Sequence, residues 1–132
     1  MTLIDTNVLL DLFTDDPQWS AWSAAQLDRL ALTGPLLVND IVYAELSVSF
    51  ATPDDVDEAL VRTGITLTPT PRGALFLAGK AYRRYRSQGG TRTGVLSDFF
   101  IGGHAAAARL PLLTRDPRRY RSYFPTVILI SP

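Results

Sequence analysis

Five short apolar runs, most of them unbroken, constrain this chain more than any other feature: "TLID", "LLVN", "ITLTP", "LPLLT" and "TVILI". A strand with one face in water alternates apolar and polar residues. A strand covered on both faces reads as a continuous apolar run, and that is the mark of a parallel sheet between layers of helices. The segments between the runs carry helix signals. Asp16 precedes Pro17 at a helix start, and Asp40 stands as cap before "IVYAELSVSF". Thr52-Pro53 opens an acid-led helix that stops at Gly64. "PRGALFLAGKAYRRYRSQ" runs as a long helix to Gly89-Gly90, and Ser97 caps a helix from Asp98 to about Arg109. The predicted architecture is α/β, a three-layer α/β/α sandwich with a mostly parallel sheet of about five strands, as one domain over residues 1–132.

Composition removes several chemistries. There is no cysteine and one histidine, so disulfides, thiolate nucleophiles and His-rich metal centres are excluded, and any metal must be held by oxygen. No apolar run approaches the roughly 20 residues that span a bilayer, and the N-terminus lacks a basic stretch followed by an apolar one. The expectation is a cytoplasmic protein with no membrane partner.

In sheets of this kind ligands bind beyond the carboxyl ends of the strands. Asp5 and Asp116 follow apolar strands directly. Asp98 heads a helix and shares a face with Ile101, Gly102 and Ala105. Glu45 lies beside a stripe read as Ile41, Ala44 and Val48, with no Lys or Arg on its helix to pair with it. Taken singly, each acid has an ordinary explanation as a cap, a turn residue or an edge position. If the four converge, two of them 4 Å apart repel by about 4 kcal/mol at an effective dielectric near 20. A proton or a hard cation must relieve that, and an oxygen-only site suits Mg²⁺ or Mn²⁺.

Charge is segregated along the chain. Residues 1–58 hold 11 acids and one base, Arg29, whereas residues 59–132 hold 12 bases and two acids, Asp98 and Asp116. A basic half points to a polyanionic partner. "YRRYRSQGGTRTG" mixes Arg with Tyr and Gly, which suits phosphate contact and base stacking, so Arg83, Arg84, Arg86 and Arg92 are candidate RNA-binding residues. The alternative is a solvated surface.

"LIDTNVLLDL", "AEL" around Glu45, "SDFFIGGHA" around Asp98 and "LLTRDPRRYRSYFP", in that order across nearly the whole chain, resemble the PIN-domain ribonucleases, and among them the VapC-like toxins of type II toxin–antitoxin pairs. The resemblance implies catalytic acids at Asp5, Glu45, Asp98 and Asp116, with metal ligation by Asp5, Asp98 and Asp116, and Mg²⁺ or Mn²⁺ as cofactor. It makes Asn7 and Thr114 polar groups that orient the carboxylates. The reaction it implies is metal-dependent hydrolysis of RNA, with a tRNA or an rRNA loop as substrate and a 5′-phosphate on the product. The segments Arg83–Arg92 and Arg115–Arg121 would hold the RNA backbone. Phe100 and the pair Gly102-Gly103 depart from the family pattern, so packing there is expected to be particular to this chain. His104 is assigned a structural or surface role.

Two other classes fit parts of the sequence. A haloacid-dehalogenase-like phosphatase also starts from a strand-end Asp, but it needs "DxDxT", and position 7 is Asn7. A non-enzymatic α/β binding module would use the acids only as caps and turns. Protein partners are expected as well. Trp22 lies off the helix stripe read as Ala24, Leu27 and Ala31, with Trp19 on its flank, so Trp22 is expected to be more than a third exposed and covered by a second chain. The resemblance implies that the covering chain is a cognate antitoxin or a second copy in a homodimer.

Overall fold

The computed structural model describes all residues, Met1–Pro132. The sheet has five parallel strands: β1 (Thr2–Ile4), β2 (Leu36–Val38), β3 (Ile65–Leu67), β4 (Leu112–Leu113) and β5 (Leu129–Ile130), in the order β3-β2-β1-β4-β5. Every residue of β1, β2 and β4 is buried. Side chains of successive strand residues point to opposite faces, so both faces of the central strands are covered. The edge strands β3 and β5 are partly exposed. Seven helices supply the cover: α1 (Thr6–Phe13), α2 (Ser20–Ala31), α3 (Asp40–Ser47), α4 (Pro53–Arg62), α5 (Arg72–Ser87), α6 (Leu96–Ala108) and α7 (Arg118–Tyr123). The predicted α/β sandwich is the observed one, with shorter strands.

Strand order decides where a site can form. From β1 the chain winds outward through β2 to β3, then returns to the other side of β1 for β4. Ile4 pairs with Leu113, and the Asp5 amide donates to the Leu113 carbonyl at 2.9 Å. The connections leaving β1 and β4 therefore diverge from adjacent strand ends and open a crevice between them.

Local details differ from the expectations for three helices. Asn39, not Asp40, caps α3; its side chain accepts from the amides of Ile41 and Val42. The inward residues of α3 are Val42 and Leu46, while Ala44 and Val48 face solvent. α6 begins at Leu96 rather than after Ser97. Asp16 does not start α2; it accepts from the amides of Gln18 and Trp19 and closes the turn before it.

α2 buries Ser23, Leu27 and Leu30, and this changes the position of the tryptophans. Trp22 is half-buried and packed against the core instead of standing in solvent. Trp19 meets it edge-to-face at 6.0 Å, and the Arg115 guanidinium lies 5.5 Å from the Trp19 ring centre. The expected exposure of Trp22 is not found, because the buried stripe of Ser23, Leu27 and Leu30 is rotated toward Trp22 from the one expected. The large apolar side chains that are exposed are elsewhere, among them Val48, Val61 and Phe76.

The paired glycines of α6 set how closely its neighbours approach. A Cβ on Gly103 would stand 2.5 Å from the Ala74 carbonyl oxygen of α5. A Cβ on Gly102 would stand 2.4 Å from the Phe124 ring and 3.0 Å from the Tyr120 ring. Gly103→Ala meets backbone, which cannot turn aside as a side chain can. It is expected to lower the unfolding free energy by about 1–3 kcal/mol. Urea denaturation of the variant checks this, and an unchanged midpoint would show that α5 and α6 can part freely.

Candidate active site

Asp5 ends the central strand and is 4% exposed. Three side chains converge on its Oδ2: the Thr114 hydroxyl at 2.8 Å, the Tyr120 hydroxyl at 2.8 Å, and the Asn7 amide at 3.4 Å. Thr114 comes from the end of β4, Tyr120 from α7 and Asn7 from the first turn of α1. Burial raises the carboxyl pKa to about 6, opposed by the Thr114 and Tyr120 bonds and reinforced by the charge of Asp98. Burial also lifts the Tyr120 hydroxyl well above its ordinary value, with the Asp5 charge adding to it, so Tyr120 remains a donor.

The other acids stand around this group. Glu45 on α3 is half-buried, and its Oε1 accepts from the Thr6 hydroxyl at 2.7 Å. Asp98, in the first turn of α6, pairs with Arg119 Nη1 through its Oδ2 at 2.6 Å. Burial raises the Asp98 pKa; the Arg119 bond lowers it, and the charges of Glu45 and Asp116 raise it. Asp116 is exposed at the rim, with Arg118 at 3.6 Å. The four carboxylates are thus coupled through their charges, yet no three of the chain's Asp, Glu and His side chains form a group that could hold an ion as they stand. Thr6, Arg119 and the Asp5 donors occupy the oxygens instead. Asp5, Asp98 and Asp116 offer only oxygen, so a hard divalent cation is the metal their chemistry suits.

Asn7 and Thr114 are both in the network expected of them. Asn7 also accepts from the Arg115 amide at 3.1 Å, which joins the start of α1 to the loop after β4. That dual use makes it a clamp and not the second acid a phosphatase would need. Arg115 leaves the group of residues expected to hold RNA. Its guanidinium binds Asp11 through Nε at 2.7 Å and Nη2 at 2.9 Å, and Asp11 also accepts from Ser23. The four candidate arginines are exposed. Arg92 lines an open depression with Asp116, Arg118, Arg119, Ser122 and Tyr123, and Arg83 and Arg84 line an adjoining groove that shares Tyr123, where Arg84 also donates to the Ser122 carbonyl at 3.3 Å. His104 is buried against the Asn39 amide at 3.2 Å, a structural role as expected.

Sequence reasoning missed Thr6 altogether, and gave Tyr120 and Arg119 only a place in the segment Arg115–Arg121 expected to hold RNA, not their contacts to Asp5 and Asp98. Thr6 is the neighbour of Asp5, whereas Tyr120 reaches Asp5 from 115 residues away and carries no local signal. Nothing local pointed from Arg119 to Asp98.

The PIN domain profile matches residues 2–124. The chain belongs to the PIN domain family. Solved structures agree on the fold. VapBC2 from Rickettsia felis, bound to a DNA fragment from its promoter, aligns with a TM-score of 0.74 at 19% identity, covering 99% of this chain and 98% of the other. FitAcB from Neisseria gonorrhoeae aligns at 0.69 and 21%, covering 98% and 96%. DNA-bound VapBC from Salmonella typhimurium aligns at 0.71 and 16%, covering 99% and 98%. No curated protein sequence matches this PIN domain. No helix of it is long and apolar enough to cross a membrane.

The raised Asp5 pKa has a consequence for stability. The folded chain binds this proton more tightly than the unfolded chain, so the contribution is lost as pH rises from about 4 through 6. Above that, the buried charge costs about 3 kcal/mol. In EDTA, Asp5→Asn is therefore expected to be more stable than the parent at pH 7.5, by up to about 3 kcal/mol, and nearly equal to it at pH 4. Paired denaturant titrations at the two pH values measure this; an equal difference at both would show that Asp5 carries no such burden.

Proposed function

We propose that this PIN domain is the ribonuclease toxin of a toxin–antitoxin pair, acting in the cytoplasm and hydrolysing phosphodiester bonds in RNA with Mg²⁺ or Mn²⁺. The observation that carries the reading is the coupling of Asp5, Glu45, Asp98 and Asp116 at the crevice between β1 and β4. A chain that needed these acids only as caps would not bury one of them among like charges. The charge felt at Asp5 and Asp98 is what a divalent cation would neutralise, and the all-oxygen donor set fits one.

Asp5, Asp98 and Asp116 are the proposed ligands. Bound there, the ion would lower the pKa of a water and offset charge developing on the phosphate. The chain's own residues do the rest. Thr114, Tyr120 and Asn7 hold Asp5 Oδ2 in one orientation, leaving Oδ1 without a side-chain donor. Glu45, fixed by Thr6 through one oxygen, has the other free to orient or deprotonate the attacking water. The water adds to phosphorus and the 3′-oxygen departs, so the phosphate stays on the 5′ end. Arg92 and Arg118 at the rim of the depression are placed to contact flanking phosphates. A structured RNA such as a tRNA or an rRNA loop is the proposed substrate class. A cognate antitoxin is the proposed protein partner, supported by the toxin–antitoxin complexes that share the fold, and a second copy of the chain is proposed beside it.

Asp98→Asn should abolish Mg²⁺-dependent cleavage while the protein remains folded, and sequencing of 5′-phosphate ends after expression in cells should show cuts for the parent only. Cleavage by the variant at the parent's rate would refute the assignment. Arg92→Ala should weaken RNA binding and reduce the slope of log K against log salt by about one phosphate contact. An unchanged slope would return Arg92 to the solvated surface.

A further inference from the structure

The ion pair between Arg119 and Asp98 lies where the proposed reaction needs a free carboxylate. Of the four ion pairs in the chain, Arg62–Glu58 is exposed within one helix and Arg118–Asp116 is loose at 3.6 Å. Arg115–Asp11 fastens a loop. Arg119–Asp98 differs from these. It engages an acid of the site at 2.6 Å, with both side chains still reached by solvent, at 25% and 32%. It is also the only side-chain bond Arg119 makes.

Two further observations bear on what this arginine does. Asp98 stands among like charges from Glu45 and Asp116, and the Arg119 guanidinium at 2.6 Å offsets part of that repulsion. Arg119 also lines the open depression with Arg92 and Arg118, beside Asp116. A guanidinium cannot give up its charge near neutral pH, so it can only leave Asp98 by moving to another anion. Its planar fork matches a phosphate as well as it matches a carboxylate.

We propose that Arg119 is a built-in counter-ion that holds Asp98 in the metal-free protein, competes with the divalent cation for that carboxylate, and on release binds a phosphate of the RNA backbone. Metal entry and RNA binding are thereby coupled: the cation displaces Arg119, and the displaced Arg119 is the group that positions the substrate. The proposal rests on the metal-dependent ribonuclease reading above.

The test compares Arg119→Gln with the parent by two measurements that a merely structural residue would move in the same direction. Calorimetric titration with Mn²⁺ should show binding about tenfold tighter in the variant, because Asp98 is no longer occupied. Affinity for a labelled single-stranded RNA oligonucleotide in Ca²⁺ should be about fivefold weaker, because the phosphate has lost its partner. Arg92→Gln removes the same charge from the same depression without freeing Asp98, and its Mn²⁺ affinity should change less than twofold. Arg119→Lys, which keeps the charge and loses the fork, should leave Mn²⁺ affinity near the parent's and weaken RNA. Equal Mn²⁺ tightening in Arg92→Gln would reduce Arg119 to one contributor to a general field and overturn the proposal. So would losses in both measurements for Arg119→Gln. If the parent binds Mn²⁺ no better than Asp98→Asn does, the metal site itself fails, and the coupling fails with it.

Discussion

A carboxylate buried at the carboxyl end of the central strand is the constraint on which the rest of this structure depends. Asp5 cannot move away, because its amide is already bound to Leu113 in the sheet. It must therefore be satisfied by groups brought to it, and they come from residues 109 and 115 positions away along the chain. The β4 strand must lie beside β1 for Thr114 to reach it. α7 must fold back for Tyr120 to do so, and Gly102 must lack a side chain for the Tyr120 and Phe124 rings to come that close. A buried polar group that is only partly satisfied is costly, so the network is all-or-none and specifies one arrangement of the C-terminal elements.

The segregation of charge along the chain is resolved in the folded molecule at a few chosen places. Basic residues of the C-terminal half reach back across the sheet: Arg115 to Asp11, with Asn7 holding the same loop through its backbone. Arg119 stays within the C-terminal half and meets Asp98. These contacts use a small part of the positive charge. Arg92 and Arg118 remain exposed around the depression beside Asp116. The acids that could bind a cation and the bases that could bind phosphate thus meet beyond the carboxyl ends of β1 and β4, while the acids of α4 face solvent. The segregation in sequence becomes a juxtaposition in space.

Reading residues in order recovered the elements well and their inward faces less well. Apolar runs between breakers located all five strands, because a strand covered on both faces has no other way to be written. Helix faces were harder. α3 was expected to bury Ala44 and Val48, yet it buries Val42 and Leu46. On a helix of eight residues both stripes are apolar, and only the direction in which the neighbouring sheet lies chooses between them. Trp22 failed for the same reason: the stripe that α2 buries is rotated toward it from the one expected. Asp5, Asp98, Asn7 and Thr114 were legible as candidates because each sits at a strand end or helix start, and Glu45, inside α3, as an acid with no base on its helix. Their partners were not, since Thr6, Tyr120 and Arg119 are ordinary residues in ordinary surroundings until the chain closes.

What the sequence by itself determined is the α/β class and the parallel sheet, which follow from burial on both strand faces and breakers between elements, and the PIN domain family, which follows from the resemblance of its motifs. It named Asp5, Glu45, Asp98 and Asp116 as candidates. What only the tertiary structure decided is how those acids are held. The network of Thr114 and Tyr120 on Asp5, the Thr6 contact to Glu45, and the Arg119 hand on Asp98 depend on distances between residues far apart in the chain. So does the meeting of Arg84 with Ser122 and Tyr123, residues that line the depression of Arg92. Periodicity and spacing describe one element at a time, whereas the energy of a buried charge is set by whatever elements close around it.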